Sequence, residues 1–400
     1  MNEQAPSSAL DTLAFPLFEG GPFHRLLERV CLVQEGRSLM ARRIVLIVLV
    51  AWAPLVVLAL IQGFALGPTR LESFLMDFAA NVRFLVTVPA FILAEGMCGA
   101  RVLSTVRQLL SAGLIEESDR LEFETNVRDS VRLSRSGKAE AVLLGLAYLH
   151  SAFVLVALLN YPVATWRTPD VAGHRAISMA GWWYFLVAFP FYSFLLARWV
   201  WRLGIWWRLL WQASRLELCL SPAHPDGAAG LGFLSTSLSG FSLFVFGVAA
   251  MFAAGLADLV VYEGASPLDY QWYVVALLVF LLMMIAGPLL FFMPSLFEAK
   301  DQALLRYGGF ASRQVQELER KWLAEKEGRA PEDTGISSQD FSTVSDFGVL
   351  VGHVRETKLI PIELSDVIRL LVITLLPFLP VFASQIPIGE MFSLLLKTLG

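Results

Sequence analysis

The sequence predicts an all-α fold: a polytopic transmembrane helical bundle of seven spans with a small cytoplasmic helical layer. The first observation is composition, since 56% of the residues are hydrophobic, only 16% are charged and the mean hydropathy is +0.61. Charged residues make up about a quarter of a typical soluble domain. The second observation is that seven runs reach the ~20 apolar residues that a helix needs to cross the bilayer core.

Each apolar run is expected to be a helix, because backbone polar groups cannot stay unpaired in hydrocarbon and the alternation typical of a β-barrel is missing. Proline removes one backbone hydrogen bond, so prolines inside the runs predict kinks. These prolines are Pro54, Pro89, Pro190, Pro288, Pro377 and Pro380. The seven runs are Ile44–Leu66, Ala79–Cys98, Ala141–Val163, Gly181–Trp199, Gly240–Tyr262, Trp272–Met293 and Val367–Ile386.

Basic residues fall on alternate connections between the runs, and this predicts the orientation. Most of the 31 Lys and Arg residues lie on the side where the chain begins. The exceptions are Arg70, Arg83, Arg167, Arg175 and Lys397. Since Lys and Arg mark the cytoplasmic side, the N-terminus is expected inside and the C-terminus outside. The first apolar run exceeds the length of a cleavable signal segment and is expected to remain as an anchor.

The domain organisation follows from this alternation of apolar runs and polar connections. The inner connections carry helical apolar patterns, and no inverted repeat of the kind found in many transporters is recognised. The predicted segments are a cytoplasmic N-terminal segment (1–43), spans one and two (44–100), a cytoplasmic helical insertion (101–139), spans three and four (140–200), an interfacial segment with a Gly-rich turn (201–238), spans five and six (239–294), cytoplasmic helices with a linker (295–365), and span seven with an outer tail (366–400).

Composition and motif searches argue against several functional classes. The three cysteines are isolated, the five histidines are scattered, and the net charge is −4. These features predict no metal site, no cofactor and no nucleic-acid partner. Sequence signatures of hydrolases and metalloproteases are missing, so the chain is not expected to be an enzyme.

Ionisable residues inside the spans are the first candidates for function, because each is costly in hydrocarbon. Sorted by depth, Arg83 and Asp258 lie toward the outer ends of their spans, and Glu95 and Arg369 lie toward the inner ends. We therefore predict two ion pairs, Arg83–Asp258 and Glu95–Arg369, with His150 between them. The alternatives are that these groups lock helix packing or that they form a proton relay or an ion gate.

A stripe of small residues runs through span five to Asp258: Gly232, Ser235, Ser239, Ser242, Ala249, Ala250, Ala253 and Ala257. The three- and four-residue steps place these serines on one helix face. Such a face can pack against another helix, which is the commoner use, or line a polar path for a transported solute.

Two connecting segments are candidate anion sites. The turn that begins at His224 and Asp226 places Gly227, Gly230 and Gly232 near a helix start, where backbone amides can hold an anion. The alternative is a tight turn whose glycines let helices approach closely. The Arg- and Trp-rich segment Arg198–Arg215 predicts an interfacial extension of span four, or a binding site for an anionic lipid.

The motif His224-Pro-Asp-x-x-x-Gly-Leu-Gly-Phe-Leu234 and the C-terminal stretch Leu359–Pro380 resemble segments of a family of multi-pass inner-membrane proteins from Gram-negative bacteria. The resemblance implies a location in the bacterial inner membrane, with the outer side facing the periplasm. It implies no activity and no catalytic residue.

Taken together, the sequence predicts an integral membrane protein in a lipid bilayer that serves as a channel or transporter for an ion or small solute and is homo-oligomeric. The alternative is a scaffold or sensor without transport activity, which binds a protein partner through its cytoplasmic helices. Proton or ion flux through purified protein in liposomes separates the two.

Overall fold

The computed structural model describes residues 20–23, 25, 37–67, 69, 71–160, 163–171, 174–326 and 338–384. Most of the predicted N-terminal segment, most of the predicted linker after residue 326 and the outer tail lie outside the described residues. Within the described part, seven helices are long and apolar enough to cross a membrane, which confirms the all-α bundle. The spans are Met40–Ile61, Phe78–Ser111, Gly137–Leu159, Met179–Ala213, Phe233–Glu263, Pro267–Glu317 and Leu364–Ala383.

We call the face at which span 1 begins the N-terminal side, and the face at which span 7 ends the C-terminal side. Several helices extend beyond the predicted apolar runs on the N-terminal side. Span 2 continues to Ser111, span 4 continues to Ala213, and the last helix of span 6 runs over Met293–Lys326. Two further helices, Arg120–Ser134 and Ser338–Glu356, lie between spans. A short antiparallel hairpin, Asp170–Val171 with His174–Arg175, lies between spans 3 and 4.

The helices are interrupted where prolines were predicted to kink them. Span 1 consists of Arg37–Ala51 and Ala53–Ile61, with Pro54 in the first turn of the second piece. Pro288 and Pro377 lie in 3₁₀ turns, Gly287–Phe292 and Leu376–Phe378. The remaining pieces are Gly137–Leu159, Phe233–Thr236, Ser237–Phe241 (3₁₀), Ser242–Glu263, Pro267–Tyr270 (3₁₀), Gln271–Ala286, Leu364–Leu375 and Leu379–Ala383.

Spans 2 and 4 share an unusual element, a five-residue π-helical turn placed just before a proline. In span 2, Phe78–Val82 and Val88–Ser111 flank the π turn Arg83–Thr87. In span 4, Met179–Trp183 and Phe189–Ala213 flank the π turn Tyr184–Ala188. In each π turn the residue before the proline donates its N–H to the first residue of the turn, an i→i+5 bond. Such bulges insert one extra residue into the helix and occur frequently at functional sites.

The two π turns lie in a short parallel repeat of the sequence. The helix that contains each turn begins after a side-chain N-cap, Asp77 in span 2 and Ser178 in span 4. The identical residues are Ala79, Phe84, Leu85, Val86 and Pro89 in the first copy and Ala180, Phe185, Leu186, Val187 and Pro190 in the second. The repeat places Arg83 and Tyr184 at equivalent positions of neighbouring spans, where their side chains meet.

Apolar packing divides the bundle into a tightly packed centre and lipid-compatible faces. Span 5 packs against spans 2 and 7, while span 3 packs mainly on span 4. The helix Arg120–Ser134 packs on the N-terminal-side extension of span 4 through the buried Phe123 and Val127. Large apolar side chains remain exposed on spans 1, 3 and 6, among them Ile61, Phe153 and Trp272. Such faces are suited to contact with lipid tails.

Candidate functional site

A large cavity lies in the half of the bundle toward the C-terminal side, between spans 2 to 7. Its volume is about 1000 Å³, which is the size of a pocket for a drug-sized molecule. We call it the aromatic cavity, because Tyr184, Phe189, Tyr192, Tyr270 and Tyr273 line it. The lining also includes three residues singled out from the sequence, Arg83, His150 and Asp258.

Two aspartates at the rim of the aromatic cavity hold the start of span 2. Asp77 caps the helix by accepting the N–H of Ala80 at 2.7 Å, and it also accepts from the Trp166 indole and pairs with Arg167. Asp258 of span 5 accepts two further N–H groups at the same helix start, from Phe78 and Ala79, each at 3.0 Å. Both carboxylates therefore satisfy backbone donors that a helix N-terminus leaves unpaired.

Arg83 occupies the wall of the aromatic cavity below this rim. Its side chain is buried, and one terminal nitrogen donates to the Tyr184 hydroxyl. The guanidinium carbon lies over the rings of Phe189 and Tyr192, at 5.0 Å and 5.1 Å from their centroids. Aromatic faces attract cations through the ring quadrupole, so Arg83 is stabilised by rings and a phenol hydroxyl.

The predicted ion pair between Arg83 and Asp258 is wrong. Asp258 is occupied by backbone N–H groups, and Arg83 contacts aromatic side chains. Both residues line one cavity, as their similar depth indicated, but each has a different partner. His150, predicted between the pairs, bonds Ser193 across the contact of spans 3 and 4, with Nδ1 and Oγ 3.1 Å apart.

A layer of stacked aromatic side chains forms the floor of the aromatic cavity. Phe91 stacks on Tyr192 with 6.4 Å between ring centroids, and Phe244 lies 5.3 Å from Phe91 and 4.8 Å from Trp199. Phe91, Phe244 and Trp199 are each at most 2% exposed. This aromatic layer separates the cavity from the N-terminal half of the bundle.

Beyond the aromatic layer lies a buried group of charges, which we call the arginine–glutamate cluster: Arg43, Glu95, Glu140, Arg198 and Arg202. Glu95 accepts from Arg43 and from Arg202, both at 2.8 Å, and Arg198 lies 3.5 Å from it. Arg198 also lies 3.6 Å from Glu140, which in turn accepts the N–H of Phe23. The cluster joins spans 1 to 4, and all five side chains are less than 10% exposed.

The arginine–glutamate cluster corrects two expectations. The predicted Glu95–Arg369 pair is wrong: Glu95 serves three arginines, while Arg369 is 55% exposed and pairs with Asp366 of its own helix. Arg198 and Arg202 are also buried and paired, so the segment Arg198–Arg215 does not lie as a whole in the headgroup layer. Arg208 and Arg215 of that segment are exposed, and contact with anionic lipid stays a prediction for them alone.

The small-residue face of span 5 is a packing face, and only Asp258 at its end lines the aromatic cavity. Ser235 donates to Asp366 at 2.6 Å and accepts the N–H of Glu363, which joins span 5 to the start of span 7. Ser239 bonds a carbonyl of its own turn. Ser242 is buried, and Gly247 farther along lies against span 2, where Thr87 donates to its carbonyl at 3.0 Å.

The Gly-rich turn is filled by its own carboxylate. Asp226 accepts the N–H groups of Ala228, Gly230 and Gly232 at 2.9, 3.1 and 2.8 Å, and His224 Nδ1 lies 2.9 Å from it. These are the donors that an external anion would need, so the geometry favours the tight turn over the anion site. Partial burial alone would raise the pKa of Asp226, but the three backbone donors and His224 outweigh burial and hold the pKa below its usual value.

The structure also explains why this turn is rich in glycine. Gly227 and Gly230 adopt positive φ angles of 63° and 96°, which side chains disfavour. A Cβ on Gly232 would lie 3.0 Å from the Asp226 carboxylate. The carbonyl of Gly227 accepts the N–H of Lys358, which ties the turn to the segment before span 7.

Sequence reasoning missed four residues of the aromatic cavity: Asp77, Arg167, Tyr184 and Tyr192. Asp77 and Arg167 lie at or beyond the ends of apolar runs, where charged residues are ordinary, and tyrosines are common in membrane helices. A signal was present in the repeated Phe-Leu-Val-x-x-Pro motif at Phe84 and Phe185, which marks the two π turns beside the cavity.

The fold and this site define the class of the protein: a multi-pass helical membrane protein with a large aromatic cavity in the half of its bundle toward the C-terminal side. No known family model, curated protein or solved structure matches the chain. The resemblance to a bacterial inner-membrane family therefore stays a prediction.

Proposed function

We propose that the protein is a transporter for a small solute in a bacterial inner membrane, with its N-terminus in the cytoplasm and its C-terminus in the periplasm. The observation that carries this proposal is asymmetry along the membrane normal. The lining of the aromatic cavity reaches the connections on the C-terminal side, at Leu71, Thr165 and Arg167, while the aromatic layer and the arginine–glutamate cluster lie between this cavity and the N-terminal side. A binding cavity that reaches one side only is what alternating access requires of a transporter.

Release toward the N-terminal side would require the arginine–glutamate cluster to separate. The cluster joins span 1 and span 2 to span 4 through Arg43, Glu95 and Arg202. The π turns lie beside the cavity, at Arg83–Thr87 and Tyr184–Ala188, and their first residues line it. Broken helices of this kind supply places where spans can change direction.

The test is flux through purified protein in liposomes. The probes are H⁺, K⁺, Na⁺, Cl⁻ and naphthalene-2-sulfonate, each measured with and without protein. Met251→Trp fills the aromatic cavity from span 5, and Val279→Trp is the matched control, because Val279 is 56% exposed and lies outside the cavity lining. The proposal requires protein-dependent flux of at least one probe, blocked by Met251→Trp and preserved in Val279→Trp. Equal flux in the two variants, or no flux of any probe, refutes it.

A scaffold or sensor is the second candidate function, and the helices on the N-terminal side favour it. Met293–Lys326 packs against Ser338–Glu356 through a ring contact of Phe310 with Phe347, at 4.7 Å. Leu305 and Val349 are 73% and 58% exposed there. If this surface binds a protein, Leu305→Asp should abolish co-purification of that protein without changing flux.

The proposed homo-oligomer is tested separately. Light scattering of the protein–detergent particle, corrected for bound detergent, should give a mass that is a multiple of the 44.3 kDa chain. A particle containing a single chain would contradict this part of the proposal.

A further inference from the structure

We infer that the aromatic cavity binds an amphipathic organic anion, whose charged group pairs with Arg83. This inference rests on the proposed function in that it names the substrate class of the same cavity. It starts from the ion pairs that the buried arginines form. Arg43, Arg198 and Arg202 contact Glu95, and Arg167 contacts Asp77.

Arg83 differs from these four arginines. Among the described residues no ion pair includes it, although its exposed fraction is only 7%. Its Nε has no hydrogen-bond partner within the described chain, and its contacts are the hydroxyls of Tyr184 and Tyr192 and aromatic faces. A charge buried at membrane depth without a counter-ion is costly, so Arg83 leaves room for an opposite charge supplied from outside the chain.

The cavity holds two carboxylates, and both are already engaged. Asp77 is bonded to Ala80, Trp166 and Arg167, and Asp258 is bonded to the backbone at the start of span 2. Neither neutralises Arg83. A ligand carboxylate, sulfonate or phosphate can do so, since a guanidinium forms charge-assisted hydrogen bonds with these groups. Tyr192 and His150 line the same part of the cavity and add polar contacts.

The rest of the cavity lining indicates that the remainder of the ligand is apolar. Apolar side chains surround the charged centre from every span that borders it, among them Val154, Leu196, Met251, Leu277 and Phe378. A fully hydrated inorganic anion would lose its water there without compensation. An organic anion with an apolar body satisfies both Arg83 and this lining.

An amphipathic organic anion can reach the cavity from two sources. Span 3 packs mainly on span 4, and exposed side chains of span 5, such as Phe252, border the cavity. A membrane amphiphile could therefore enter sideways from the bilayer, and a compact aromatic anion could enter from the aqueous phase. Decanesulfonate represents the first source and naphthalene-2-sulfonate the second, and both stay ionised at neutral pH.

The test is equilibrium binding to the purified full-length protein in nanodiscs, by isothermal titration calorimetry. Each sulfonate is compared with its uncharged primary sulfonamide, which has nearly the same shape. We expect at least one sulfonate to bind at least tenfold more tightly than its sulfonamide, and Arg83→Met to remove that preference. Arg83→Lys, which keeps the positive charge, should retain part of it. Arg369→Met is the control, because Arg369 is exposed and pairs within its own helix.

The outcomes separate this inference from the proposed function. Equal affinity for the sulfonate and the sulfonamide overturns the anion assignment even if flux of another probe is observed. Binding of neither sulfonate overturns it as well, and so does a charge preference that survives in a folded Arg83→Met protein. If Arg83→Met does not fold, Tyr184→Phe removes only the hydroxyl that Arg83 contacts, and it should change sulfonate affinity more than sulfonamide affinity.

Discussion

Replacing Glu95 with Gln should strongly destabilise the protein, because Glu95 is the acid that three buried arginines share. The substitution keeps the size and shape of the side chain and removes its charge. Arg43 and Arg202 each lose a contact of 2.8 Å, and Arg198 loses one of 3.5 Å. Glu140 is then the remaining acid of the cluster, and it contacts Arg198 alone among the three arginines.

The expected magnitude follows from this geometry. Removing one partner of a buried ion pair costs about 3–5 kcal/mol, since the other charge stays buried without compensation. Glu95 is about 9% exposed at its side chain and serves more than one arginine, which places Glu95→Gln at about 5 kcal/mol. A whole domain is stable by only about 5–15 kcal/mol. The matched control, Arg369→Gln, removes an arginine that is 55% exposed, while the buried Asp366 keeps its hydrogen bond from Ser235, and should cost less than about 1 kcal/mol.

The assay is reversible unfolding in mixed micelles, followed by tryptophan fluorescence and circular dichroism. A double substitution, Glu95→Gln with Arg202→Gln, completes a double-mutant cycle. We expect the double variant to be more stable than the sum of the single effects predicts, because it removes both charges of one contact. A loss below about 1 kcal/mol for Glu95→Gln, or strictly additive effects in the cycle, would refute the argument for the cluster.

Three further predictions concern helix contacts on the N-terminal side and in span 5. Asp226→Asn should cost about 2 kcal/mol, because three backbone N–H groups lose a charged acceptor that is itself partly exposed. The folded pKa of Asp226 lies below its unfolded value of about 3.9, so its contribution to stability is present above that pH and is lost as the pH falls through the folded pKa. Unfolding measured at several pH values should show this acid-dependent loss of stability in the original protein and not in the Asn variant. Gly247→Ala should cost about 1–3 kcal/mol in thermal unfolding, because the new Cβ would lie 3.0 Å from Phe91. Gly255→Ala is the control: its Cβ would meet nothing within 4 Å, so it should be neutral or stabilising in the same assay. Ser235→Ala should cost about 1–3 kcal/mol, because it removes the 2.6 Å hydrogen bond that one oxygen of the buried Asp366 accepts. Unchanged thermal unfolding would contradict that link.

The depth of each polar residue could be predicted from the sequence, but its partner could not. Arg83, Asp258 and His150 were placed in the outer half of their spans or near the middle, and the structure shows all three lining the aromatic cavity. Depth follows from counting residues along a helix, since each adds ~1.5 Å of rise. It does not tell which face a neighbouring span presents, so Asp258 was paired with Arg83 although its oxygens reach the backbone of Phe78 and Ala79.

The same limit explains the error at Glu95. Arg369 and Glu95 lie toward the same side of the membrane, so the prediction that they pair rested only on their similar depth. The sequence predicts Arg198 and Arg202 at the lipid interface, because Arg and Trp are common there. In the structure both arginines are buried, because Glu95 supplies their counter-charge inside the bundle.

The sequence by itself determined the class of protein, the seven spans and the prolines at which helices are interrupted, because hydropathy and backbone hydrogen bonding are local properties of a segment. Only the tertiary structure decided which charges are compensated. Glu95 and Arg202 lie 107 positions apart, and Arg83 and Tyr184 lie 101 positions apart. Contacts of this kind depend on how spans are arranged side by side, which no local pattern encodes. That arrangement gives Glu95 three arginines and gives Arg83 aromatic rings in place of a carboxylate.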